Sequence, residues 1–164
     1  MKKLIIISII CFACLSFIKI KPARLSDEPV PYPEGFRAWT HVKSSVVGPK
    51  NPAYAFIGGF VHIYANDKAL KGYKTGSFEE GSIVVFDVIQ ANDKDGDLSE
   101  GERRVVDVMV KDAAKFKETG GWGFEEFKGN SRTERNIGKN ASTKCFSCHS
   151  NQKDKNYIFS TYRE

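Results

Sequence analysis

SIVVFDVIQANDKDGDLSEGERRVVDVMVKD, residues 82–112, is the stretch that decides the fold. Its two ends, residues 82–91 and 103–112, are rich in β-branched side chains and alternate with the period of two that is typical of strands. The polar, acidic run 92–102 between them is expected to form the loop at the tip. The pattern therefore predicts two antiparallel strands joined as a hairpin.

Alternation along these two strands divides their side chains between the faces of a sheet. One face of the first strand carries three apolar side chains: Val84, Phe86 and Val88. One face of the second strand carries Val105, Asp107 and Met109. Asp107 stands among valines, and an edge-strand position with Arg103 or Arg104 as its ion-pair partner would account for it.

Residues before the hairpin add a further strand and a helix. Residues 54–66, YAFIGGFVHIYAN, are rich in β-branched and aromatic side chains and predict a strand with a break at its two glycines. Residues 67–76 predict a short helix, for which Asn66 or Asp67 is the expected cap.

Two more helices are predicted at the ends of the domain. Large side chains at helical spacing within residues 36–42 predict a first helix, on which His41 would lie. A second helix is expected to begin at Asp112 and to end at a pair of glycines, residues 120–121. The predicted fold class is α+β, mainly antiparallel β-sheet with a few short helices.

The first 21 residues predict an export signal. Lys2 and Lys3 precede an almost unbroken apolar run over residues 4–18. A run of about 15 residues is short for a membrane span and typical of the central part of a signal peptide. Residues 1–21 are therefore predicted to be a signal peptide or lipoprotein signal, 22–31 a linker, and 32–164 a single domain.

Export places this domain in the periplasm, by one of two processing routes. Cys14 follows the small residue Ala13, as in a lipoprotein signal, whereas ordinary cleavage would fall between about Ser16 and Ser26. Without residues 1–21 the chain has 21 basic against 20 acidic side chains, so we expect no nucleic-acid partner. Membrane contact is expected only through a lipid anchor at Cys14.

The strongest motif is C-x-x-C-H, formed by Cys145, Cys148 and His149. Two thiols at this spacing reach the two vinyl groups of a haem, and the adjacent histidine becomes an axial iron ligand. A redox disulfide or a zinc site would be the alternatives, the latter with His41 or His62 as fourth donor. The motif predicts one covalent haem c per chain, bound by Cys145 and Cys148, with His149 as the metal ligand.

The opposite side of the iron has few candidate ligands. After His149 only Tyr157 and Tyr162 follow as weak donors, and Met109 is the one methionine beyond residue 1. We therefore expect a five-coordinate iron that is open to a small ligand. His62 alternates with aromatic side chains in its strand and is a candidate for the distal pocket, for direct ligation, or for a purely structural histidine.

Several stretches together resemble the cytochrome P460 family over residues 32–164. They are YPEGFRAWTHVKS, HIYANDKAL, GSIVVFDV, VMVKDAAKFKETGGWGFEEF and CFSCH with KDKNYIFS after it. The resemblance implies a dimeric periplasmic protein of antiparallel β-sheet with one c-type haem. Cytochromes P460 oxidise hydroxylamine and carry a lysine linked to the haem macrocycle. Their relatives, the β-sheet cytochromes c′, lack the link and bind nitric oxide or carbon monoxide beside phenylalanines.

Phe86 falls at the position of the cross-linking lysine, so the chain is nearer to the cytochrome c′ type. The predicted function is a mono-haem cytochrome whose five-coordinate iron binds nitric oxide or a similar small ligand in a pocket lined by Phe86 and His62. A second interpretation is a hydroxylamine-oxidising enzyme, in which Asp107 accepts protons and a partner cytochrome takes the electrons. The third is a simple electron carrier with His62 or Met109 as sixth ligand.

Overall fold

The computed structural model describes residues 30–164. The predicted export signal, Cys14, the cleavage region and nearly all of the predicted linker lie outside the described residues. The described chain forms one five-stranded sheet in which every strand pairs antiparallel with the next in sequence. The strands are β1 Thr40–Val47, β2 Gly59–Ala65, β3 Ile83–Lys94, β4 Asp97–Lys111 and β5 Trp122–Lys128. The predicted α+β class with a mainly antiparallel sheet is confirmed.

The helices are short and lie at the ends of the strands. The α-helices are α1 Tyr54–Ile57, α2 Asp67–Thr75 and α3 Ser147–His149. Four 3₁₀-helices span Phe36–Ala38, Lys117–Thr119, Gly138–Asn140 and Ser150–Lys155, and a π-helix spans Ser142–Phe146. Within residues 30–164 none of the helices has the length and apolarity needed to cross a bilayer.

Helix α2 matches its prediction. The Asn66 side chain accepts a hydrogen bond from the Ala69 N–H at 2.9 Å, as an N-cap does. The same oxygen accepts from the Ile83 N–H at 3.0 Å, so the cap also fixes the start of β3. The helix ends at Gly76, whose φ of 76° is the left-handed value that glycine adopts without a steric penalty.

The hairpin of β3 and β4 is longer than predicted. Residues 92–102 are not a loop: both strands continue through them to a two-residue turn at Asp95 and Gly96. The φ values of 57° and 88° at these residues suit a hairpin turn of the primed type. Because charged side chains occupy both faces of this exposed ribbon, it has no apolar alternation to reveal the strands.

Three other predicted elements are wrong in part, although β2, Gly59–Ala65, forms the predicted strand after its glycine break. Residues 40–47 form β1, which pairs with β2, and within residues 30–39 a single 3₁₀ turn precedes it, so His41 lies on a strand. Residues 54–57 form α1 rather than strand, and the Arg104 guanidinium donates to the Gly58 and Ala55 carbonyls and so stabilises this turn. Residues 112–121 form turns and a 3₁₀-helix instead of a continuous α-helix.

Alternation gives the sheet two buried faces. The inner face, defined by Val84, Phe86 and Val88 of β3, packs against α2 and the C-terminal segment. The outer face, defined by Val85 and Asp87 of β3, packs against residues 30–39. The inner-face core comprises Val42, Val61, Ile63, Ala65, Ala69, Val84, Val88, Met109, Trp122, Phe124 and Ile158. The C-x-x-C-H motif lies on the inner side.

Candidate haem-attachment site

The two motif cysteines lie on one continuous helical stretch over the inner face. Cys145 belongs to the π-helix and is half-buried against the inner-face core, whereas Cys148, one turn later in α3, is exposed. Burial raises the pKa of the Cys145 thiol to about 12, and the carboxylates of Asp107 and Glu126 add to the effect. Redox-active cysteines have lowered pKa values, so this thiol does not resemble one of them.

His149 is held in the form that an iron ligand needs. Its Nδ1 lies 2.7 Å from the Tyr157 carbonyl oxygen, which accepts, so Nδ1 carries the proton and the Nε2 lone pair stays available. The carbonyl points back because Asn156 and Tyr157 have φ values of 54° and 65°. Burial lowers the pKa of His149, against the opposing effect of this hydrogen bond, and so favours the neutral imidazole.

Aromatic side chains enclose the imidazole of His149. The rings of Phe124 and Phe159 each lie with their centroids 5.0 Å from it. Two thiols one helical turn apart and a neutral imidazole of fixed tautomer are the donor set of covalent haem attachment. No cluster of three or more His, Cys, Asp or Glu side chains in residues 30–164 is arranged to hold a metal ion.

A row of side chains crosses the inner face beneath the motif segment. The strand register pairs Ile63 with Phe86, Phe86 with Asp107, and Asp107 with Glu126. Phe86 is partly buried and packs against the inner-face core, as Cys145 does. The row therefore brings an aromatic ring and two carboxylates to the motif side of the sheet.

The carboxyl groups of Asp107 and Glu126 act as a pair. Burial raises the pKa of Asp107 well above its ordinary value, and the charge of Glu126 and a hydrogen bond to it raise that pKa further. Asn136 Nδ2 donates to Glu126 Oε1 at 2.7 Å and holds that side chain in place. Burial and the neighbouring carboxyl group of Glu126 thus both favour the protonated form of Asp107.

His62 lies on the other side of the sheet from this row. It pairs with Asp87, an outer-face residue, and its side chain contacts Ser44 and Glu100. The structure therefore does not bring His62 to the motif, contrary to the expectation of a distal role. Met109 does lie on the inner face, buried between Val84 and Phe124 in the strand register.

The sequence predicted that Asp107 lies on an edge strand and pairs with Arg103 or Arg104, and this prediction is wrong. Strand β4 lies between β3 and β5, so it has no free edge over residues 105–111. Arg103 instead binds the fully buried Asp87, and Arg104 binds the carbonyls at the end of α1.

Glu125 and Glu126 were not predicted as site residues. They are consecutive in β5, so they face opposite sides of the sheet. The buried Glu125 carboxylate accepts from the Ile137 and Gly138 N–H groups at 3.0 and 3.3 Å, and from Arg135 Nη1 at 3.3 Å. It thereby anchors the connector 135–138 that leads into the π-helix. Two glutamates inside an otherwise aromatic strand were the available sequence signal.

Comparison with known proteins identifies the family of this chain. A family model described as Cytochrome P460 matches residues 33–160, which include the whole sheet, the motif and His149. A search of individually curated proteins gives no significant match. The family implies a haem-iron cofactor, for which the donor set of the motif is suited. The chain belongs to the cytochrome P460 family.

Proposed function

We propose that this chain is a periplasmic cytochrome with one covalently attached haem c, which binds nitric oxide or a similar small ligand. Cys145 and Cys148 are its attachment residues and His149 is the proximal ligand. When bound, the haem supplies an iron with one coordination position for the small molecule. The free thiols, one helical turn apart, and the fixed tautomer of His149 support this assignment.

The observation that carries the proposal is the apolar patch around Phe86 on the inner face, next to which the row continues with Asp107 and Glu126. Phe86 and Cys145 pack against the same core, and Val84 and Val88 flank Phe86 on its face of β3. The side chain of His62, a hydrogen-bonding group that could retain water, lies on the outer face. The apolar side chains of this patch stabilise neither bound water nor an anion, and carboxylates beside them would repel an anion, so the surroundings favour a neutral diatomic ligand.

Intact-mass and optical spectra test this function. We expect the mass of the processed chain plus one haem, and saturable binding of one nitric oxide per ferrous chain. Phe86→Ala should admit water and speed the release of nitric oxide by about tenfold, since it removes the largest apolar side chain of the row. Phe60→Ala is the matched control, because Phe60 lies on the outer face of β2, and it should leave the release rate unchanged.

Other spectra would contradict the proposal. A further loss of two hydrogens from the mass would indicate a cross-linked macrocycle, as in hydroxylamine-oxidising members. A six-coordinate, low-spin spectrum that resists nitric oxide would favour the electron carrier with Met109 as sixth ligand. The buried packing of Met109 among inner-face core side chains supports a structural role for it instead.

Hydroxylamine oxidation is a second candidate function, which the pair of Asp107 and Glu126 favours. Oxidation of hydroxylamine releases protons together with electrons, and a proton acceptor close to the substrate assists that release. The two carboxyl groups pair in the strand register on the motif side of the sheet, where they are placed to accept protons released from a substrate at the motif. Electrons would leave through a partner cytochrome.

Turnover with hydroxylamine and a dye acceptor separates the two functions. If the chain oxidises hydroxylamine, Asp107→Asn should lower turnover by about a hundredfold or more. Its affinity for nitric oxide should stay within about threefold of the wild-type value. Glu102→Gln, an exposed acid of the β3–β4 ribbon, is the control and should change neither quantity. Absence of turnover in the wild-type protein removes this candidate.

The protein is also proposed to form a homodimer and to be exported to the periplasm. Sedimentation of the haem-containing protein tests the dimer, and a monomer at micromolar concentration contradicts it. Fractionation of cells expressing the full-length gene tests export. The mass of the N-terminal peptide then distinguishes a lipid at Cys14 from cleavage between about Ser16 and Ser26.

A further inference from the structure

Four polar side chains on the outer face form a continuous chain of hydrogen bonds away from the haem motif. His41 Nε2 lies 2.9 Å from Ser44 Oγ, which lies 2.7 Å from His62 Nδ1. His62 Nε2 lies 2.7 Å from Glu100 Oε1. The bends of β3 and β4 at their register shifts bring Glu100 of the long ribbon to His62 of β2.

The chemistry of these groups sets the position of each proton. A carboxylate oxygen only accepts hydrogen bonds, so His62 Nε2–H donates to Glu100 Oε1. The other ring nitrogen of this neutral imidazole, His62 Nδ1, then presents a lone pair. The Ser44 hydroxyl donates its one hydrogen to that nitrogen and accepts the Nε2–H of His41. Two imidazole nitrogens from neighbouring strands thus converge on a single hydroxyl oxygen.

We propose that His41 and His62 form a binding site for a divalent first-row transition metal ion, with Cu²⁺ bound more tightly than Zn²⁺. Imidazole nitrogens are the preferred protein donors for these ions, and the order of affinity follows their general trend. Metal–nitrogen distances of about 2.0–2.1 Å place two ring centroids on one ion about 5–6 Å apart. The observed separation of 6.3 Å needs only a small rotation of one ring.

Glu100 supplies the feature that distinguishes this pair from two chance surface histidines. Metal-bound histidines usually donate their other ring N–H to a carboxylate, which fixes the tautomer and strengthens the donor nitrogen. His62 has this arrangement already, with 16% of its side chain exposed, whereas His41 is exposed to solvent. His41 need only move its proton from Nε2 to Nδ1, so binding releases no proton from either ring.

The site has two nitrogen ligands from the protein and is completed by Ser44 Oγ or water. Glu100 stays on the far nitrogen of His62 and is not a ligand, which agrees with the absence of a three-residue cluster within residues 30–164. His62 lies on the opposite face from Phe86, so this inference does not depend on the haem function.

Copper binding to the tag-free, haem-containing protein tests the proposal by calorimetry and electron paramagnetic resonance. We expect one Cu²⁺ per chain with hyperfine coupling from two imidazole nitrogens, and weaker binding of Zn²⁺. His41→Ala and His62→Ala should each weaken Cu²⁺ binding by about tenfold or more. Glu100→Gln should weaken it by about tenfold, since it removes the partner carboxylate, and Glu102→Gln is the matched control.

The results that overturn the proposal are distinct from failures of folding. The Soret spectrum and far-ultraviolet circular dichroism of each variant report folding independently of copper. Unchanged Cu²⁺ affinity in folded His41→Ala or folded His62→Ala refutes the paired site. Coupling to one nitrogen alone, or no copper binding by the wild-type protein, refutes it as well.

Discussion

Replacing Glu125 by glutamine tests whether one buried carboxylate holds the connector to the motif. Glutamine keeps an acceptor oxygen and nearly the same volume, so the substitution removes the charge without creating a cavity. Hydrogen bonds to a charged group contribute about 1.5–3 kcal/mol and neutral ones about 0.5–1.5 kcal/mol. The bonds from the Ile137 and Gly138 N–H groups each weaken by about 1 kcal/mol on this scale, and Arg135 loses its ion partner.

The expected net loss for Glu125→Gln is about 2 kcal/mol, because a neutral amide costs less to bury than a carboxylate. For a chain of this size, that loss lowers the melting temperature by about 4–8 °C. Urea unfolding of the haem-containing protein measures the change, with Glu102→Gln as an exposed control expected within about 0.5 kcal/mol of wild type. A Glu125→Gln protein that is also within about 0.5 kcal/mol would refute the anchoring role.

Three further substitutions probe other parts of the fold. Asp107 has a raised pKa in the folded state, so wild-type stability should fall as pH rises from the ordinary carboxyl pKa to the raised one. Urea unfolding across pH 4–8 should show a flatter profile for Asp107→Asn. Asn66→Ala removes the cap that binds Ala69 and should cost about 1–2 kcal/mol. Gly59→Ala should cost about 3 kcal/mol or more, because φ is 110° and the new Cβ would overlap the Ile89 carbonyl oxygen.

Each of these three has an outcome that contradicts its premise. Equal pH profiles for wild type and Asp107→Asn would show that Asp107 titrates near its ordinary pKa. An Asn66→Ala protein as stable as wild type would mean that solvent replaces the cap. A fully stable Gly59→Ala protein would require a β2–β3 register other than the one that pairs Phe60 with Ile89.

The elements that could be predicted correctly are those fixed by residues close together in the sequence. Valine-rich alternation in β3 and β4 required strands, and an asparagine before a helical run indicated the cap of α2. The ribbon beyond residue 91 carries charged side chains on both faces, so no apolar alternation identified its strands. The turn residues Asp95 and Gly96 were the sequence signal for the hairpin tip. Residues 36–42 satisfied helical spacing, yet only residues 36–38 are helical, and β1 begins at Thr40 because β2 offers a hydrogen-bonding edge.

The candidate site was predictable where a motif defines it and unpredictable where strand register does. Cys145, Cys148 and His149 follow from their spacing alone. Alternation along β2 also predicted that His62 shares a face with Phe60 and Tyr64. Whether that face is the inner or the outer one depends on the register, which pairs His62 with Asp87 of β3. A shift of one residue would have placed it beside Phe86, and no local pattern fixes that choice.

The alternation of Glu125 and Glu126 in β5 has a consequence for insertions and deletions. Gaining or losing one residue within the paired strands, between Asp107 and Lys111 or between Trp122 and Glu126, would exchange the two side chains, so that the connector anchor and the carboxylate partner of Asp107 would be lost in a single step. Length changes at the exposed turn of Asp95 and Gly96 leave both intact, because the paired region of β4 and β5 starts beyond the ribbon. Related chains should therefore vary in length at the hairpin tip and show no insertion or deletion within the paired residues 105–111 and 122–128.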